Sequence, residues 1–258
     1  MKRNGKERKL ILVTNDDGID AKGIHELIDF LSPLGDIICV APDAPRSAQS
    51  MALTVGRPLR ITRHEDWHGA KMYSVNGTPV DCVKLSAHTV IPRKPDLLVS
   101  GINHGSNASV NVLYSGTMGA VMEGCVLGIP SVGFSLTSHD PDADFSKGKE
   151  IIKVIAETVL RDGLPPEVCL NVNIPDNVCP KGIRITQACK GQWSEEYKRH
   201  SDAENGDFYI LEGSFINSEP DNTLTDEWSL KHGYVSVTPT LIDVTAKGVE
   251  LPCLNLGQ

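Results

Sequence analysis

The chain lacks the cysteine spacing that marks a disulfide framework or a structural zinc. Its seven cysteines are odd in number and scattered, and no C-x-x-C pair occurs. Most lie in apolar surroundings and read as small core residues. Basic excess is also missing: 25 Lys and Arg stand against 33 Asp and Glu, a formal net charge of -8. A duplex-binding surface needs clustered Lys and Arg, so nucleic-acid duplexes are not expected partners. A small phosphorylated ligand is still compatible, because a bound cation neutralises phosphate locally. No hydrophobic run approaches the length of a membrane span. The apolar stretch after the basic segment Met1 to Lys9 is too short for a signal peptide and runs at once into two aspartates. The expectation is a cytoplasmic protein with no membrane partner. Internal repeats and low-complexity tracts are absent. What remains is 258 residues of ordinary globular composition, 40% hydrophobic and 22% charged, enough for one large domain or two small ones.

Strand-like and helix-like segments alternate through the first two thirds. Lys9 to Thr14, Asp36 to Ala41, Asp96 to Ser100, Ser131 to Ser135 and Val168 to Ile174 read as buried strands. Pro58 to Thr62 and Lys71 to Val75 read as shorter ones. Helices are expected over Gly23 to Leu31, from Thr78-Pro79 onward, over Thr117 to Leu127 and over Ser146 to Leu160. Thr78 is placed as an N-cap and Pro79 as the first helical residue. This alternation predicts an α/β fold with a doubly wound, mainly parallel, Rossmann-like sheet. Lys190 to Trp228 is polar, and only Phe208 to Leu211 stands out there as a strand. Tyr234 to Thr238 alternates like a strand that returns to the core.

The first strand ends in Thr14-Asn15-Asp16-Asp17-Gly18. Ligands of open α/β folds bind outside the carboxyl ends of strands. Two adjacent carboxylates there repel each other unless a cation or proton intervenes. Asp16 and Asp17 therefore suggest a divalent-metal site; the competing reading is an ordinary Asx turn. Three further loops fall on the same edge. In Ala41 to Ser50, Ser47 offers a hydroxyl ligand, though by itself the loop reads as a polar turn. Arg46 is suited either to a phosphate oxygen or to a structural salt bridge. In Ser100-Gly101-Ile102-Asn103-His104-Gly105-Ser106-Asn107, the glycines allow close backbone approach, and Asn103 and Asn107 offer amide oxygens. His104 reads as a solvent-facing loop histidine more readily than as a general acid. Lys84 and His88 read as surface positions. Ser115-Gly116-Thr117 opens a helix and presents N–H groups and hydroxyls to an anion such as phosphate; simple N-capping is compatible with that.

Taken with Val75-Asn76-Gly77-Thr78-Pro79 and Val235-Ser236-Val237-Thr238-Pro239, these loops resemble the SurE family of survival-protein nucleotidases in order and spacing. The resemblance implies a metal-dependent phosphatase acting on nucleoside 5′- and 3′-monophosphates, and on short polyphosphate. It implies one divalent ion per subunit, manganese or magnesium, held by Asp16, Asp17, Ser47 and Asn103. It implies phosphate contacts at Asn103, Ser115, Gly116 and Thr117, with Asp16 and Asp17 catalytic. Family members usually carry glycine after the ligand serine, where this chain has Ala48. The resemblance further implies homodimers with exchanged C-terminal tails, or homotetramers built through an extended hairpin. That divides the chain into a core over 1–190 and an oligomerisation arm and tail over 191–258, with 234–238 returning to the core.

Two rival chemistries compete with this one. A dehalogenase-like phosphatase with an aspartate nucleophile typically has its two aspartates separated by one residue; here they are adjacent. A magnesium-binding phospho-receiver domain needs an aspartate closing a central strand, whereas Asp96 opens one. A dinucleotide-binding dehydrogenase is weaker still, since the first turn lacks G-x-G-x-x-G.

Overall fold

The computed structural model describes residues 8–249 apart from 177 and 203. Strands β1 (Leu10–Thr14), β2 (Asp36–Pro42), β3 (Ile61–Arg63) and β4 (Lys71–Val75) form the first half with helix α1 (Lys22–Leu31). Helix α2 (Pro79–Thr89), strand β5 (Leu97–His104), helix α3 (Gly116–Val126), strand β6 (Ser131–Leu136), helix α4 (Lys149–Asp162) and strand β7 (Val168–Ile174) follow. The remainder comprises β8 (Ile183–Ile185), β9 (Gly191–Ser194), β10 (Tyr197–Asp202), β11 (Gly206–Leu211), β12 (Ser214–Asn217), helix α5 (Asp226–Lys231) and β13 (Val235–Leu241). Nine strands make one sheet in the order β3-β4-β2-β1-β5-β6-β7-β13-β8. The run from β4 to β7 is parallel throughout. β3 and β13 enter antiparallel, and β8 pairs parallel with β13. The sheet is the doubly wound, mainly parallel one that the alternation predicts.

Both faces of β1 are covered, which is why Leu10 to Val13 is apolar without alternation. Ile11 and Val13 pack in a cluster with Ile24, Leu27 and Ile28 of α1 and Ile152 of α4. Leu10 and Leu12 face the other way, toward Val83 of α2 and Met118 and Val121 of α3. The chain leaves β1 for β2 on one side and returns to β5 on the other. Their carboxyl ends therefore flank a topological switch point, where ligands of open α/β sheets bind.

Local signals explain most element ends. Thr78 caps α2 by accepting the Asp81 N–H at 3.1 Å, and the Asp81 carboxylate accepts the Thr78 N–H at 2.9 Å; this reciprocal pair with Pro79 at the first turn fixes the helix start. Several boundaries differ from the sequence reading; β5 runs on to His104 and β13 to Leu241. Ser146 falls in a short 3-10 turn, Phe145–Gly148, and α4 begins only at Lys149. The edge strand β3 starts at Ile61, because Pro58 cannot donate to a ladder. The polar stretch carries four strands where one was expected: β10 and β11 form an exposed hairpin, and β9 pairs with β12 at its root. The exchanged tail falls partly on 250–258, outside the described residues. Cys39, Cys82, Cys125, Cys169 and Cys189 are buried thiols and Cys179 is exposed. No helix among the described residues is long and apolar enough to cross a membrane.

Asp96 anchors the amino end of the sheet, away from the switch point. Its carboxylate accepts the Leu10 N–H at 2.9 Å and pairs with Lys9 and Arg93. The backbone donor and these two cations hold its pKa at about 2 although partial burial opposes them. A depressed carboxylate stabilises the fold above its ordinary pKa near 4, and that stability is lost as pH falls toward 2. Asp96→Asn is expected to cost on the order of 1 kcal/mol at pH 7, after screening by solvent. Urea melts of both proteins should converge as pH drops from about 4 toward 2.

Candidate active site

The turn after β1 is built by Asn15, whose Oδ1 accepts the Gly18 N–H at 3.2 Å and whose Nδ2 donates to the Gly18 carbonyl at 2.8 Å. Asn15 thus makes the Asx turn, and the turn carries the acid pair. Asp16 is almost fully buried. Its Oδ1 accepts the Thr117 hydroxyl proton and its carbonyl accepts the Arg46 N–H at 2.7 Å. Burial pushes its pKa up to about 6; the neighbouring Asp17 charge adds to that rise and the Thr117 hydrogen bond opposes it. Asp17 is half-buried, and burial raises its pKa too, against the His104 backbone N–H that it accepts. Its Oδ2 is shielded from solvent and has no hydrogen-bond partner among the described residues.

The helix behind the acids starts at the predicted place. Ser115 caps α3 by accepting the Met118 N–H at 3.0 Å, which leaves its own hydroxyl proton to donate elsewhere. Gly116 follows in direct contact with Asp16. A Cβ there would stand 2.8 Å from the Asp16 Cβ and 2.9 Å from Oδ2. Thr117 is fully buried beneath the carboxylate that it bonds. A helix N-terminus and two raised carboxylates thus share one small volume. An anion placed there meets N–H groups and a positive helix end, while the acids call for a cation.

β5 contributes Asn103 through an irregularity in its pairing with β6 between Ser100 and Asn103. Such a bulge re-aims the side chains beyond it. Gly101 makes the bend possible: its φ is +134°, and a Cβ would lie 2.3 Å from the Phe134 carbonyl oxygen. The Asn103 amide nitrogen donates to the carbonyls of His104 and Gly105, at 3.0 and 2.9 Å. Its oxygen is the end of the amide left for a ligand.

Ser47 lies exposed on the loop after β2, and no described hydrogen bond joins it to the acids. The loop is nevertheless docked on the site. Arg46 binds the Asp16 carbonyl, Ser50 N–H donates to the Tyr114 carbonyl at 3.1 Å, and Ser50 Oγ donates to the Leu113 carbonyl at 2.6 Å. Ala48 adopts a φ of +57°, the left-handed region that favours glycine. The backbone here has the form that a glycine would take, with alanine occupying it. Arg46 also pairs with Asp43 at 3.2 Å, the salt bridge weighed against phosphate binding. Lys84 ties α2 to α3 through the buried Glu123 at 2.6 Å, and His88 is exposed.

Two sequence readings need correction. Asn107 does not join Asn103 at the site. It turns inward, donating Nδ2 to Ser135 Oγ at 2.9 Å and its backbone N–H to Asn173 Oδ1 at 2.8 Å, while its carbonyl accepts Asn171 Nδ2 at 2.8 Å. His104 is half-buried instead of solvent-facing. It stands edge-on to Phe145 at 5.0 Å, with Nδ1 shielded and without a described partner, and burial lowers its pKa. Missed altogether was the buried Asn107, Asn171, Asn173 and Ser135 network that supports the Asn103 loop. Its only sequence signal is two asparagines at strand spacing inside the apolar run Val168–Ile174.

Fold and site define a class: a doubly wound α/β protein with oxygen donors and a phosphate-type helix N-terminus at the switch point of its sheet. More narrowly, the chain belongs to the survival protein SurE family, whose family model matches residues 11–195. A protein named 5′-nucleotidase SurE from Phocaeicola vulgatus is 52% identical over 253 residues, covering 97% of this chain and 98% of its own. One of the same name from Bacteroides fragilis is 52% identical over 240 residues, covering 93% and 94%. The crystal structure of the SurE protein from Aquifex aeolicus superposes with a TM-score of 0.79 at 36% identity, covering 92% of this chain and 94% of that one.

Proposed function

We propose that the protein is a divalent-metal-dependent nucleotidase that hydrolyses nucleoside 5′- and 3′-monophosphates to nucleoside and inorganic phosphate. The observation that carries this reading is the contact between the Asp16 carboxylate and the first turn of α3, at Gly116 and Thr117. It sets acid groups against an anion-binding helix end, an arrangement suited to a cation and a phosphoryl group side by side. The names of relatives identical at about half their positions support it.

The donor set fits a hard cation. Asp17 Oδ2 is a buried carboxylate oxygen without a partner, and the side chains that would join it offer oxygen donors. Among the described residues no cluster of three or more His, Cys, Asp or Glu side chains occurs. Asp16, Asp17, Asn103 and Ser47, all oxygen donors, would hold one ion per subunit, manganese or magnesium, with water completing its shell. When bound, it supplies Lewis-acid polarisation of a phosphoryl oxygen and local charge neutralisation.

The protein's own groups do the rest. Backbone N–H groups at Gly116 and Thr117 and the Ser115 hydroxyl proton receive the phosphate and stabilise charge on its equatorial oxygens, while Asn103, whose amide N–H groups are engaged by the His104 and Gly105 carbonyls, turns its oxygen to the cation. Asp16, oriented by Thr117, keeps the carboxylate edge aligned. Asp17, the more open acid, takes a proton from the attacking water as its oxygen bonds to phosphorus. The ester P–O bond then breaks, and the electron pair leaves on the nucleoside oxygen, which takes a proton from solvent water. The receiver-type reading loses its footing because Asp96 sits at the amino end of β5, engaged in ion pairs. The relatives' shared name likewise disfavours a dehalogenase-like route. Short polyphosphate stays within the proposed range. We take 1–190 as the catalytic core and 191–258 as the arm and tail of a cytoplasmic homodimer or homotetramer. The exposed Tyr197, Tyr209 and Leu211 of the β10–β11 hairpin support an association surface there.

The test is phosphate release from a panel of nucleoside monophosphates by metal-stripped protein, with manganese or magnesium added back. Turnover should appear only with metal. Its absence with every metal and nucleotide would overturn the reading.

A further inference from the structure

A polar cavity of about 500 Å³ opens beside the site, under the ends of β2 and β4. Arg46, Gln49, Thr54, Arg57, Asn76 and Thr78 are among its lining residues. It begins one residue from the proposed ligand Ser47, since Arg46 is bound through its backbone N–H to the Asp16 carbonyl. Most of its polar atoms are already engaged. Asn76 Oδ1 accepts the Arg60 N–H at 2.7 Å, and Thr78 Oγ1 donates to the Ala52 carbonyl at 2.7 Å. Thr54 Oγ1 donates to Asp81 at 2.6 Å, and Asp81, the carboxylate behind this wall, is itself fully used by Thr54 and Thr78.

What the cavity still offers is two guanidinium groups and the Gln49 amide. Arg57 has no hydrogen bond or ion pair among the described residues. Arg46 gives one nitrogen to Asp43, while its Nε is shielded and unpartnered. Two guanidinium groups converge here on a chain of net charge -8. Guanidinium forks match phosphate oxygens.

We propose that this cavity is a second phosphate subsite, so that nucleoside 3′,5′-bisphosphates are better substrates than the corresponding monophosphates. The inference rests on the nucleotidase reading and names a substrate class for it. One phosphate occupies the turn of α3 and is hydrolysed; the other is held by Arg46 and Arg57 and stays on the product.

The experiment compares adenosine 3′,5′-bisphosphate with adenosine 5′-monophosphate in one manganese assay. The wild-type ratio of kcat/KM should favour the bisphosphate by about tenfold or more, carried by KM. The ratio should shrink as salt is raised, because Arg57 is exposed to solvent screening. In Arg57→Ala it should fall toward one, and Arg57→Lys should keep part of it. Monophosphate turnover with a bisphosphate ratio at or below one would overturn the subsite and leave the nucleotidase reading standing. A ratio unmoved in Arg57→Ala would overturn it equally. Failure to turn over either substrate would overturn both readings together.

Discussion

Asp17→Asn is expected to lower metal-dependent phosphate release by about 100-fold or more. Altering an outer partner of a metal ligand already costs roughly 10–100-fold in affinity or activity, and this change acts on a proposed ligand. The substitution is close to isosteric and still offers an oxygen to the His104 N–H. Its other atom becomes an NH₂ donor at the position of Oδ2, which removes a carboxylate oxygen from the proposed ligand set. The charge that repels Asp16 also disappears, and Asp16 is pushed up in part by that charge. The metal-stripped variant should therefore melt at or above the wild-type temperature while binding manganese far more weakly. Titration with manganese followed by a thermal melt separates this outcome from simple misfolding. Activity within a few-fold of wild type would remove Asp17 from the site.

Gly116→Ala should have a comparable effect on turnover for a different reason. Gly116 sits in the first turn of α3 with ordinary helical geometry, so alanine favours the helix itself by about 1 kcal/mol. The obstacle is the Asp16 side chain, 2.8 Å from the place where the methyl group must go. Either the carboxylate or the helix start has to shift by a sizeable fraction of an ångström. Displacements on the order of 1 Å between reacting groups cost about 100-fold in rate. Circular dichroism and melting should show a folded protein, with kcat reduced by about that factor. An unchanged kcat would mean that the contact between Asp16 and α3 is not part of the chemistry.

Where an element's cause is local, the sequence announces it. The apolar run of β1 is legible because both of its faces are buried, and α2 because Thr78, Pro79 and Asp81 carry their own start signal. The polar strands β9, β10 and β12 carry no such signal, since alternation appears only when one face is buried, and in a single chain this arm has little to bury against. Tyr234 to Thr238 reads as a strand, but its antiparallel entry between β7 and β8 depends on the path of the whole chain.

The site divides in the same way. Sequence alone determined the donor types: an acid pair after a buried strand, small and amide residues after another, hydroxyls at a helix start. These follow from strand ends, turns and caps spanning a few residues. Only the tertiary structure decided which donors meet. Asn103 and Asn107 are the same residue four positions apart, yet a bulge leaves one at the site while the other is bonded into the core. Asp16 and Thr117 lie 101 residues apart and touch because β5 returns beside β1 and carries α3 back over it. That closure is set by packing on both faces of the sheet, a long-range property that no short motif encodes.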